Sequence, residues 1–143
     1  MTFDSSSATL TLPAGSSVLW AGLYWSGDTA APGIGSAAPT PAANNTVQLK
    51  GPGAAAYTTL TAATLDTDAL RTTRYQGFAD VTSQVTAGGT GSYTVANVQA
   101  ATGTKAYSGW ALLVAGPKLK AALSGRGLAG KPLSAPLKKL AAG

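Results

Sequence analysis

Two segments constrain this chain most. Residues 17–25 (SVLWAGLYW) and 107–115 (YSGWALLVA) carry no charge and bear large apolar side chains at both odd and even positions. Written as a strand, the first sets Val18, Trp20, Gly22 and Tyr24 on one face and Leu19, Ala21, Leu23 and Trp25 on the other. A strand apolar on both faces belongs in the middle of a sheet and is covered from both sides. Gly22 among such bulky neighbours predicts a bulge or a close cross-strand approach.

The remaining segments read as shorter strands separated by turns. Residues 5–12 (SSSATLTL) alternate with period two and end at Pro13-Ala14-Gly15. Residues 46–50 (TVQLK), 56–64 (AYTTLTAAT) and 92–100 (SYTVANVQA) extend the series. Residues 26–45 hold three prolines and three glycines, which forbid regular structure and predict a long loop. Residues 65–80 (LDTDALRTTRYQGFAD) read as a loop leading into a strand near Tyr75, with Asp80 as N-cap of a short helical turn over 81–85. The short link between 92–100 and 107–115 predicts an antiparallel hairpin. Glu is absent, and Thr, Val and Tyr fill the extended stretches, so helices do not compete. The expectation is all-β: an antiparallel β-sandwich of jelly-roll or Ig-like kind, with about six or seven short strands.

Charge divides the chain. Before residue 117 four basic side chains (Lys50, Arg71, Arg74, Lys105) face five acidic ones (Asp4, Asp28, Asp66, Asp68, Asp80). From residue 117 onward six basic side chains (Lys118, Lys120, Arg126, Lys131, Lys138, Lys139) meet no acid. The leucines of this tail keep no helical period, and Gly and Pro interrupt it. The expected organisation is a β-sandwich domain over 1–116 and a disordered basic tail over 117–143.

Composition excludes several functions. With no Cys and no His there is no disulfide, no thiol nucleophile, no Cys/His metal site and no imidazole base for a serine triad. The longest apolar run, Trp110 to Gly116, is far too short to span a bilayer. Met1-Thr2-Phe3-Asp4 does not open a signal peptide, so an exported chain is expected to have its leader upstream.

Few residues stand out as sites. Asp66 and Asp68 form an Asp-x-Asp pair, the oxygen donors that a loop Ca²⁺ requires; the plain alternative is a solvated turn pairing with Arg71 and Arg74. With Asp80, the same carboxylates are candidates for a glycosidic acid–base pair, but nothing in the sequence sets two of them across a cleft and Asp80 already reads as a cap. Trp20, Tyr24, Trp25, Tyr107 and Trp110 are candidates for a sugar-stacking platform. Trp20 and Trp110 fit core packing better, which leaves Tyr24 and Trp25, next to the Gly-rich loop, as the exposed pair. The tail has no aromatic residue for base stacking and no clean amphipathic face, which weighs against nucleic acid and a membrane; the plain reading is a nonspecific cationic tail, and an anionic cell-wall polymer or other glycan is the partner left open.

Three stretches carry a family likeness: SSSATLTLPAGSSVLWAGLYWSGDT; NNTVQLKGPGAAAYTTLTA with LDTD; and RYQGFADVTSQV followed by GSYTVANVQAATGTKAYSGWALLVA. Over residues 5–115 the chain resembles the N-terminal β-domain of large secreted surface proteins of high-GC Gram-positive bacteria, of the kind that carry DUF11-type Ig-like repeats downstream. The resemblance implies a non-catalytic structural or adhesive module at the cell surface or outside the cell, and it brings no catalytic residue to carry over. It also implies a truncated copy, in which a missing strand or two would leave a sheet edge open. The second expected function is carbohydrate binding through Tyr24 and Trp25, with no cofactor beyond a loop Ca²⁺.

Overall fold

The structure, a computed structural model, describes residues 1–117 and the backbone of 122–124. The chain runs through β1 (Ser5–Leu10), β2 (Trp20–Asp28), β3 (Gly35–Ser36), β4 (Thr46–Lys50), β5 (Thr58–Thr61), β6 (Thr64–Thr67), β7 (Arg74–Asp80), α1 (Thr82–Gly88), β8 (Gly91–Ala96), β9 (Thr102–Gly103), β10 (Ser108–Ala115) and β11 (Ala122–Ser124). One sheet has the order β1-β8-β4-β5, the other β11-β10-β2-β7-β6, and β3 pairs with β9 as a separate ribbon. The pairings are antiparallel, and the expected all-β sandwich is the fold observed.

Period-two alternation builds the core. From the first sheet Leu10, Val47, Leu49, Leu60, Tyr93 and Val95 turn inward; from the second, Ala21, Leu23, Trp25, Tyr75, Ala79, Trp110, Leu112 and Val114 meet them in one apolar cluster. Two ring N–H groups reach across the sandwich: Trp25 Nε1 donates to the Asn44 carbonyl at 3.1 Å and Trp110 Nε1 to the Ser6 hydroxyl at 2.7 Å. Val81 and Val85 are fully buried and bring α1 against β2, where the Val81 amide donates to the Ala21 carbonyl at 2.9 Å. No helix among the described residues is long and apolar enough to cross a membrane.

The central position of β2 follows the sequence reading: it lies between β10 and β7. Its outward face is covered by aromatic rings instead of a further layer. Trp20 lies across Gly22 and stacks on Phe78, with ring centroids 6.2 Å apart and planes 19° apart. Trp20 is therefore half-buried on the outside of the sheet and not a core residue, whereas Trp110 is core as expected. Gly22 marks a close approach with continuous pairing, and no bulge interrupts the register.

Four local expectations need correction. The segments 92–100 and 107–115 do not form a hairpin. Asn97 takes the left-handed conformation (φ 61°) and ends β8, and the chain crosses to the other sheet. Residues 26–45 are not wholly irregular. Ser26, Gly27 and Asp28 continue β2, Gly35–Ser36 pairs with Thr102–Gly103, and Pro41–Ala43 forms a 3-10 turn. Within 65–80, Leu65, Asp66 and Thr67 belong to β6, an exposed strand held by its pairing with β7. Asp80 is not the N-cap. Val81 holds that position, and Asp80 accepts from the Thr82 amide at 2.9 Å, a contact that keeps its carboxyl below its ordinary value.

Residues 122–124 pair antiparallel with β10, in the register Ala111↔Ser124, Leu112↔Leu123 and Leu113↔Ala122. The second sheet thus extends past residue 116, and the expected disorder of the rest of the tail lies outside the described residues.

Candidate functional site

The inward rows of the second sheet are committed to the core, so chemistry can only be offered on its outer face. Register orders that face. Ala111, Tyr24 and Phe78 form one row across β10, β2 and β7; Gly109, Ser26 and Gln76 form the next; Asp28 and Arg74 form a third. The small side chains of Gly109, Ala111 and Ser26 leave a depression between larger neighbours. An open groove of about 660 Å³ results, with Tyr107 and Lys105 from the β9–β10 connection on its rim. That volume falls within the range of small-ligand sites.

The groove has distinct ends. At one end Tyr24 is tilted against Phe78, with centroids 4.9 Å apart, which fixes its ring. With Trp20 beyond Phe78, this makes a short aromatic strip. At the other end Tyr107 stands 71% exposed. Between them Gln76 presents an amide that can both donate and accept.

An ion-pair cluster builds the far wall. Asp28 ends β2 with its side chain only 8% exposed. Its Oδ2 lies 2.9 Å from Arg71 Nε and 3.5 Å from Arg74 Nε, although neither N–H is aligned well enough for a hydrogen bond. Its Oδ1 accepts from the Ala30 amide at 3.1 Å. Burial pushes this carboxyl up, but the Thr73 hydroxyl, the Ala30 amide, Arg71 and Arg74 outweigh it, and Asp28 sits below its ordinary value. Arg74 also reaches toward Asp68 at 3.9 Å. The cluster neutralises itself and locks the turn between β6 and β7 against the end of β2, where the Thr29 amide donates to the Thr73 carbonyl at 2.9 Å.

The residues singled out in the sequence meet different fates. Tyr24 lines the groove and is half-buried. Trp25 does not share its exposure. It is 1% exposed and directed inward, where its register partner on β7, Gly77, leaves room for the indole. Trp25 offers no free face for stacking. Asp66 lies on β6 opposite Gln76, beside the groove. Asp68 belongs to the following turn, where its Oδ1 accepts from the amides of Leu70 (2.8 Å) and Arg71 (3.3 Å). Asp68 therefore serves its own turn and Arg74, and among the described residues no three His, Cys, Asp or Glu side chains gather around a common point.

Sequence reasoning passed over Ser26, Gln76, Gly109, Lys105 and the Asp28 cluster, and weighed Tyr107 only as one of several aromatics. These residues come from segments 26–28, 74–76 and 105–111, and only strand register brings them to one face. No protein-family model, curated protein or solved structure matches this chain.

Proposed function

We propose that this domain is a non-catalytic adhesive module of an extracellular or cell-surface protein, and that it adheres by binding carbohydrate in the groove over β10, β2 and β7. The observation that carries this reading is the pairing of Tyr24, held by Phe78, with the exposed Tyr107 across a floor of Gly109, Ala111 and Ser26. Sugar rings have apolar C–H faces that stack on aromatic side chains, and their hydroxyls need groups such as Gln76 and Ser26 that donate and accept. An open, shallow groove suits an extended chain better than a small metabolite, which is ordinarily enclosed. The absence of His, Cys and Glu from the sequence favours binding over turnover. The surface location rests on the sequence's likeness to secreted surface domains. The test is a glycan array probed with the chain and with its Tyr24→Ala and Tyr107→Ala variants. Reproducible binding that both variants lose supports the reading, and binding that survives both removes the groove from it.

A further inference from the structure

The groove does not stop at the outer face of the second sheet. β11 lies beside β10 only from Ala111 to Leu113, so among the described residues no strand flanks Ser108, Gly109 and Trp110 on that side. There a second recess of about 210 Å³ opens between the start of β10 and the first residues of β1. Ser108, Gly109 and Trp110 line both the groove and the recess, so the two meet over the start of β10. The recess is smaller than the roughly 300 Å³ at which ordinary small-ligand sites begin. It has room for one unit of a longer ligand and not for a ligand of its own.

Polar groups are built into this recess. Ser6 Oγ accepts from the Trp110 indole at 2.7 Å, which fixes the hydroxyl and leaves its proton to a further acceptor. Asp4 Oδ1 accepts from the Val98 amide at 3.1 Å, and a carboxylate has lone pairs for more donors than that. Burial lifts the Asp4 carboxyl above its ordinary value despite the Asn97 and Val98 amides, so another donor would relieve a cost that these two leave unmet. Ser5 adds an exposed hydroxyl.

Charge narrows the class of unit. Asp4 is the one charged residue in the lining of the recess. At the groove, the Lys105 charge on the rim is offset by Asp66, which register sets opposite Gln76. Neither place rewards a carboxylate or a phosphate, and Asp4 repels one. A sugar hydroxyl both donates to Asp4 and accepts from Ser6.

On the reading that the groove takes a glycan, we infer that this glycan is neutral and longer than the groove, that it passes over the start of β10, and that it sets one further sugar unit in the recess with its hydroxyls on Asp4 and Ser6.

The test is calorimetric binding of the full chain to cello-, xylo- and malto-oligosaccharides from disaccharide to hexasaccharide, with oligogalacturonides of the same lengths as the acidic counterpart. Affinity in one neutral series should rise about tenfold between the trisaccharide and the hexasaccharide. Ser5→Gln, an exposed change that fills the recess, should cut that rise to about twofold or less, with trisaccharide affinity and melting temperature unchanged. Asp4→Asn keeps an acceptor for the Val98 amide and should cut the rise about threefold. A series flat with length, or a rise of the same size in both variants, overturns the inference and leaves the glycan groove standing. Equal or tighter binding of the oligogalacturonides does the same. Binding to no series, or binding that survives Tyr24→Ala with Tyr107→Ala, overturns the groove and the inference together.

Discussion

The indole of Trp25 lies against Gly77 on the neighbouring strand, so close that a Cβ at Gly77 would stand 2.5 Å from Cε2. The contact directs the largest side chain of β2 into the core and leaves Tyr24 on the outside. Gly77→Ala should overpack this point and cost about 1–3 kcal/mol in denaturant unfolding. Trp25→Ala should cost about 3–5 kcal/mol through the cavity it opens, so any loss of sugar binding in that variant reports unfolding. Tyr107→Ala, at a rim position 71% exposed, should leave stability within about 0.5 kcal/mol. Equal stability of Gly77→Ala and wild type would mean that the indole does not rest there.

Asp28 gives acid sensitivity a specific cause. Its folded value lies below the ordinary carboxylate value of 3.8, so its stabilisation is complete above that pH and is lost as the pH falls through the folded value. Asp80, lowered by the Thr82 amide, acts in the same direction, while Asp4, raised chiefly by burial, opposes them. Asp28→Asn should therefore cost about 1–2 kcal/mol at neutral pH and flatten the fall of stability below pH about 4. A variant with an unchanged acid limb would show that the arginines do not hold this carboxylate.

The alkaline limb belongs to the buried phenols. Tyr75 donates to the Gln99 carbonyl at 2.9 Å, and burial together with the Asp4 charge pushes its hydroxyl far above its ordinary value of 10.0. Tyr93 is raised by burial as well. A raised folded value means that stability is full below pH 10 and falls as the pH climbs above it. Tyr75→Phe should lose about 1 kcal/mol at neutral pH and lose stability less steeply above pH 10, as followed by fluorescence. The same alkaline slope in the variant would contradict this assignment.

Pairing with β10 makes residues 122–124 part of the fold. Because 122–124 pair with β10, a chain ending at Pro117 should melt a few degrees lower, for a loss of about 1 kcal/mol, and should associate through the bared edge of β10. A chain ending at Ser124, which keeps β11, should melt above the one ending at Pro117. Identical midpoints and a monomeric state for both truncations would mean that β11 adds nothing.

How far the sequence could be read depended on what each segment pairs with. β4 was legible to the residue: Val47 and Leu49 alternate with polar neighbours, and Asn-Asn and Gly-Pro-Gly bound the strand. In β2 both faces are apolar, so periodicity could not say which face turns inward; Gly77 on the partner strand decides it. β6 escaped notice because all four residues are exposed, and such a strand has no alternation to detect. The false hairpin arose because apolar alternation in SYTVANVQA runs on through Val98, while one left-handed residue, Asn97, ends the strand. The groove was the least legible feature. Gly109, Ser26 and Gln76 become a row only through register, which no local pattern encodes.

The most direct measurement is a backbone amide NMR titration of the full chain with the oligosaccharide that the glycan array selects. Shifts should concentrate at Tyr24, Ser26, Gln76, Lys105, Tyr107 and Gly109, with β4 and β5 unmoved. Shifts centred on β4 or β5, or scattered over all the cationic residues with none at the tyrosines, would contradict a glycan site on this face.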